Sequence, residues 1–169
     1  MFYFAYGSNM CTRKLRKVAP SARPVGTARL DQHELRFHKT STDGSGKADA
    51  VPTNNRLAFV LGVLFDIDPK DKPALDESEK GYSPINVAVI SDTSGKSTST
   101  LTYIANPRYI NPKLSPYSWY LAIVVSGAEE HKLDQPYVAR LRGVGVIMDK
   151  NAKRDAKNRA LLSSRGGGA

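Results

Sequence analysis

Apolar and polar positions divide this chain into short strands early and helices late. Phe2-Tyr3-Phe4-Ala5-Tyr6 is an aromatic, apolar run suited to a buried strand, and Gly7-Ser8-Asn9 follows as a tight turn. Ser8 or Asn9 is placed to cap a helix over Cys11–Val18, which Pro20 ends. Two β-like pieces about a polar turn lie within Val25–Phe37, and Ala48–Pro52 is a further short strand. Between them Lys39–Lys47 is small and polar, a hairpin connection in its plainer reading and a polar wall of a site in its bolder one. Leu57–Ile67 is the most continuous apolar run and predicts a central strand, with Gly62 marking a bulge or a close backbone approach.

Asp68-Pro69 opens a short helix running towards Glu79, with the aspartate as cap. Ile85–Ile90 and Thr98–Ile104 form a hairpin about Asp92-Thr-Ser-Gly95. After a loop over Asn106–Leu114, Ser115-Pro116 opens a helix whose Tyr120, Leu121, Val124, Val125 and Ala128 share one face. Asp134 caps another helix, which Gly143 stops. Early strands followed by late helices give an α+β domain rather than an alternating parallel sheet. At 169 residues the chain is long enough for one domain, assigned to 1–150, with a basic helix and Gly-rich tail over 151–169.

Composition removes several function classes. One cysteine, Cys11, leaves no internal disulfide or thiolate metal site, and His33, His38 and His131 lack a metal-ligand spacing. No apolar run approaches the roughly 20 residues of a membrane span, and no signal segment is visible, so a cytoplasmic setting is expected. The net charge of +9 raises nucleic acid as a partner. However, Arg13, Lys14, Arg16 and Lys17 alternate with Leu15 and Val18 as a solvated helix face does, and the C-terminal basic residues lie on a polar, Ala-rich segment. With no zinc finger, basic zipper or RNA-recognition signature, the charge argues little for nucleic acid. His33 and His38 read as strand-surface residues, and Asp76 and Glu77 as surface charge and capping.

No Gly-x-Ser-x-Gly elbow, phosphate loop or dinucleotide fingerprint is present. What remains is the Gly-Ser-Asn turn, the acidic cluster Asp76-Glu77-Ser78-Glu79 and scattered tyrosines; at the turn, backbone N–H groups at a helix start converge with partial positive charge and can hold a carboxylate or an oxyanion. The plainer reading is a capped strand-to-helix turn.

Tyr6-Gly7-Ser8-Asn9-Met10 after an aromatic strand resembles the signature of the γ-glutamylcyclotransferases. The resemblance runs on through Pro20-Ser21-Ala22, Gly26-Thr27-Ala28-Arg29-Leu30, Gly62-Val63-Leu64-Phe65 and Leu75-Asp76-x-x-Glu79, then Tyr103, Ser115-Pro116, Tyr120 and Gly127-Ala128. Each motif is weak alone; their order and spacing together are specific. Asn9 is similar to the branch acting on γ-glutamyl amino acids and amines. One departure is that Lys80 stands between Glu79 and Gly81-Tyr82, where the family commonly has glycine directly after the glutamate. The resemblance implies a mixed, mostly antiparallel barrel or sheet of five to seven strands with flanking helices. It implies release of 5-oxoproline from a small γ-glutamyl substrate by a monomer or homodimer, with no metal or cofactor. Glu79 is then the proton shuttle, and Tyr6, Gly7, Ser8, Asn9, Tyr82, Tyr103 and Tyr120 hold the substrate.

Overall fold

The computed structural model describes residues 1–162, so the Gly-rich end of the tail lies outside the described residues. Its strands are β1 (Phe2–Ala5), β2 (Arg23–Asp31), β3 (His33–Thr40), β4 (Gly46–Pro52), β5 (Phe59–Asp66), β6 (Tyr82–Ser91) and β7 (Ser97–Ala105). The helices are α1 (Thr12–Leu15), α2 (Lys72–Ser78), α3 (Ser118–Glu130), α4 (Gln135–Arg142) and α5 (Ala152–Arg159). Five strands close a barrel in the order β1-β5-β2-β6-β7, and β3 and β4 form a separate two-stranded sheet. The expected α+β barrel with flanking helices is therefore present.

β5 is the central strand the apolar run predicted, antiparallel to β1 on one side and β2 on the other. It starts at Phe59, and Leu57 is instead exposed. Gly62 marks a close approach: a Cβ there would lie 2.4 Å from the Ala5 carbonyl and 2.7 Å from the Phe4 ring. The barrel shuts where β1 meets β7 in parallel at Tyr3 and Leu101, with Thr102 Oγ1 donating to the Phe4 carbonyl at 2.9 Å. Phe4, Val63, Phe65, Val89 and Leu75 are among the fully buried side chains of the core.

The two β-like pieces in Val25–Phe37 do not pair with each other. β2 belongs to the barrel and β3 pairs with β4, the chain switching sheets at Gln32 with φ 56°. The Lys39–Lys47 segment is the β3–β4 hairpin connection, shorter than expected because the flanking strands reach Thr40 and Gly46. The β6–β7 hairpin turns about the expected Asp92–Gly95 segment.

Local signals set most helix starts. Asp68 accepts from Lys70 N–H ahead of α2, and Asp134 accepts from Tyr137 N–H at the start of α4. α3 begins three residues after Ser115, with Tyr117 preceding its first turn, because the Ser115 carbonyl is taken by Gly46 N–H. Its buried face includes Trp119, Tyr120, Ile123, Val124, Gly127 and Ala128. α5 is capped by Asn151 and docks through charge: Arg154 pairs with Asp149, and Arg159 donates to Ser118 Oγ. Among the described residues, no helix is long and apolar enough to cross a membrane.

Candidate active site

β1 delivers the opening turn to the rim of the barrel. Ser8–Met10 form one 3₁₀ turn before α1, and neither Ser8 nor Asn9 caps it with a side chain; α1 follows Cys11, likewise without a side-chain cap. The expected capping role is wrong because the Asn9 side chain is engaged elsewhere. Gly7 has φ −113°, so its backbone does not require glycine on conformational grounds. The missing side chain instead leaves room: a Cβ at Gly7 would lie 3.1 Å from Ala48 Cβ and 3.4 Å from the Tyr120 hydroxyl.

Glu79 arrives from the opposite direction, directly after the last residue of α2. That helix is fastened by Ser21, whose N–H and Oγ donate to Asp71 at 2.9 and 2.5 Å and whose Oγ accepts Asp68 N–H at 2.8 Å. Glu79 to Tyr82 then forms a turn closed by Tyr82 N–H to the Glu79 carbonyl at 3.0 Å. Gly81 takes φ +83° within it. Lys39 of β3 secures this turn by donating to the Lys80 carbonyl at 2.6 Å while its ammonium lies 4.7 Å from the Tyr82 ring centre.

The two arms flank a pocket, open to solvent, lined by Tyr3, Tyr6, Gly7, Ser8, Asn9, Ala48, Glu79, Tyr82, Tyr103 and Tyr120. Glu79, Tyr6, Gly7, Ser8, Asn9, Tyr82, Tyr103 and Tyr120, the residues the sequence singled out for the site, all line this one pocket. Tyr82 is included despite Lys80, because the chain turns through Gly81 and β6 begins at Tyr82. Tyr3 and Ala48 were missed. Tyr3 sits in the same aromatic run as Tyr6, but a period of two puts positions 3 and 6 on opposite faces of a strand, so alternation gave no signal for it; Tyr6 joins it because β1 ends at Ala5.

Hydrogen bonds fix the direction of most hydroxyls. Tyr6 donates to the Tyr103 carbonyl, Tyr82 to the Ala48 carbonyl at 2.7 Å, and Tyr103 to Asp76 Oδ1 at 2.5 Å. These three spend their protons on the protein and turn only lone pairs to a ligand. The Tyr120 hydroxyl instead accepts Ala48 N–H at 3.1 Å. Burial pushes its phenol up to about 12, against the opposing pull of Ala48 and Ser8. Asp76 is thus more than surface charge: it joins Tyr103 to Lys72, which reaches it at 2.6 Å.

Asn9 Nδ2 donates to Glu79 Oε1 at 2.7 Å and to the Tyr3 hydroxyl at 3.0 Å, while its Oδ1 accepts Lys14 Nζ at 2.5 Å. Lys14 is therefore not on a solvated helix face but turned inward under the site. Burial raises the Glu79 carboxyl above the usual range, opposed by Lys14, the Asn9 hydrogen bond and Lys39. Burial lowers both lysines, and Glu79 opposes that in each. A carboxyl with a raised pKa beside a hydrogen-bonding pocket is suited to taking and returning protons near neutral pH.

Behind the pocket, His38 is buried rather than on a strand surface. Its Nε2 lies 2.8 Å from Asp49 Oδ2, and Asp49 Oδ1 accepts Ala105 N–H at 2.8 Å, tying the small sheet to β7.

Comparison with known proteins places these features in context. The AIG2-like family matches residues 59–141. The γ-glutamylcyclotransferases of Bos taurus and Mus musculus are 31% and 29% identical to the chain, each match covering 84% of it and 77% of the relative. Among solved structures, a γ-glutamyl cyclotransferase superposes with TM-score 0.83 over 95% of this chain and 98% of that one; at 24% identity this shows the fold. An uncharacterised Homo sapiens protein superposes with TM-score 0.79 at 27% identity, over 92% of this chain and 95% of that one.

Proposed function

The chain belongs to the γ-glutamylcyclotransferase family, and from that membership we propose that it converts a γ-glutamyl amino acid or amine into 5-oxoproline and the free amino acid or amine. The observation that carries this reading is the Glu79 carboxyl, raised by burial, facing the Gly7–Asn9 turn across a tyrosine-lined pocket.

A γ-glutamyl group carries its own nucleophile. The α-amine attacks the γ-carbonyl carbon, closing a five-membered ring and placing negative charge on the carbonyl oxygen; the original C–N bond then breaks. Holding the substrate in the ring-closing pose supplies much of the rate, since well-oriented intramolecular reactions reach effective molarities of about 10⁵ M or more. The amine enters as an ammonium, so two protons must leave its nitrogen, and the departing nitrogen must gain both to leave as an ammonium. Glu79 takes each in turn and delivers it to the leaving nitrogen. The lone pairs of Tyr6, Tyr82 and Tyr103 suit the entering ammonium, while the Tyr120 proton and the Gly7, Ser8 and Asn9 amides suit the α-carboxylate or the developing oxyanion. The same reading makes the protein a cytoplasmic lyase of γ-glutamyl peptide and glutathione metabolism, a monomer or homodimer acting without cofactor, metal or nucleic acid.

Purified protein incubated with γ-glutamyl amino acids, glutathione and γ-glutamyl amines is expected to release 5-oxoproline from at least one of them, and Glu79→Gln to release almost none. No product across the panel, or equal rates from the variant, overturns the proposal.

A further inference from the structure

The Asn9 amide contacts three groups, and its two charged partners, Lys14 and Glu79, require the same orientation. Lys14 Nζ is a donor with no acceptor capacity, so the Asn9 atom 2.5 Å from it must be the carbonyl oxygen. The amide nitrogen is then forced to the other side, where Glu79 Oε1 lies at 2.7 Å and the Tyr3 hydroxyl at 3.0 Å. A flipped amide would put an oxygen against a carboxylate and an NH₂ against an ammonium, both repulsive. Asn9 is buried and Lys14 is turned inward, so neither contact is replaced readily by water.

We propose that Lys14 is a positioning residue for Glu79: by fixing the orientation of the Asn9 amide, it delivers an N–H to the carboxylate and holds that carboxylate towards the pocket. The inference rests on the reading of Glu79 as the proton shuttle. The other charged group facing Glu79 is Lys39, but its ammonium is spent on the Lys80 carbonyl and the Tyr82 ring. Lys39 acts on the backbone after Glu79; Lys14 acts on the amide that touches its carboxylate. The remaining titratable neighbours are the phenols of Tyr3, Tyr6, Tyr82, Tyr103 and Tyr120, all raised by burial and therefore neutral at physiological pH. Sequence spacing concealed this role, because Lys14 sits in a basic run that reads as solvent-facing.

The test compares wild type, Lys14→Met and Lys14→Arg in two measurements. One is the pH profile of kcat/KM for 5-oxoproline release; the other is an NMR titration of the ¹³C-labelled Glu79 carboxyl, which needs no turnover. Lys14→Met is expected to lower kcat/KM by about tenfold through loss of a charge-assisted hydrogen bond. Its acidic limb and the Glu79 titration should both move to higher pH, since a cation that favours the carboxylate is gone. Lys14→Arg, which keeps the donor and the charge, should recover most of both effects. An unmoved limb and titration in Lys14→Met, or an arginine variant no better than methionine, overturns the inference. Absence of 5-oxoproline from wild type would defeat the functional reading alone, and the titration would still decide the role of Lys14.

Discussion

Asn9 and Glu79, 70 positions apart in sequence, meet at 2.7 Å and join the two arms of the pocket. The turn brings the donor, the end of α2 brings the carboxyl, and neither arm holds the other's geometry alone. The consequences of that contact are measurable.

Glu79→Gln keeps the shape of the side chain and removes its acid–base capacity. Loss of a positioned general acid–base lowers rates by about 10² to 10⁴, so kcat should fall by that much while circular dichroism stays that of wild type.

The same substitution has a pH-dependent effect on stability. The folded-state pKa of Glu79 is raised, so its contribution is fully present below the unfolded value, about 4.3, and is lost as pH rises through the folded value. The melting temperature of Glu79→Gln minus that of wild type should therefore increase with pH across this window. A difference independent of pH would contradict the raised pKa.

Two glycines should separate binding from folding. Gly7→Ala adds a methyl beside Ala48 and the Tyr120 hydroxyl at an accessible φ, so it should raise KM while costing about 1 kcal/mol or less. Gly127→Ala would place a Cβ 2.4 Å from Cys11 N and 2.6 Å from the Met10 carbonyl carbon, driving α3 from the opening turn. It should cost about 2 kcal/mol or more. Denaturant unfolding and steady-state kinetics together read both outcomes.

Asp49→Ala removes the partner of His38 and the acceptor of Ala105 N–H at once. Leaving a buried donor without its acceptor costs about 1 to 3 kcal/mol, so the variant should unfold at distinctly lower denaturant concentration. A change below about 0.5 kcal/mol would place the pair among contacts of no energetic weight.

Local signals made the strands and helix starts legible: the aromatic run of β1, the apolar run of β5, and the Asp68 and Asp134 caps each act within a few residues. The resemblance brought Glu79 and the Gly7–Asn9 turn together. What periodicity did not reveal depends on distant partners. β2 and β3 read as neighbours because only polar residues separate them, yet β2 pairs with β5 and β6 far along the chain while β3 turns to its hairpin partner β4 in a separate sheet. Lys14 and His38 looked solvent-facing because the groups that neutralise or bind them, Glu79 and Asp49, arrive from other elements. Asp76, on α2, looked like surface charge because the Tyr103 hydroxyl comes from β7.

The closure of the barrel at Tyr3 and Leu101 carries a consequence for biosynthesis. Both sheet neighbours of β1 lie downstream, the first at Phe59–Asp66 and the second at Ser97–Ala105. A chain leaving the ribosome must therefore carry Phe2, Tyr3 and Phe4 without a sheet partner until β5 has been made, and with one edge open until β7 has been. Such a strand is a template for pairing with other chains. Folding should be slow for the protein's size because its defining contacts are non-local, and yield should depend on how well nascent chains are kept apart.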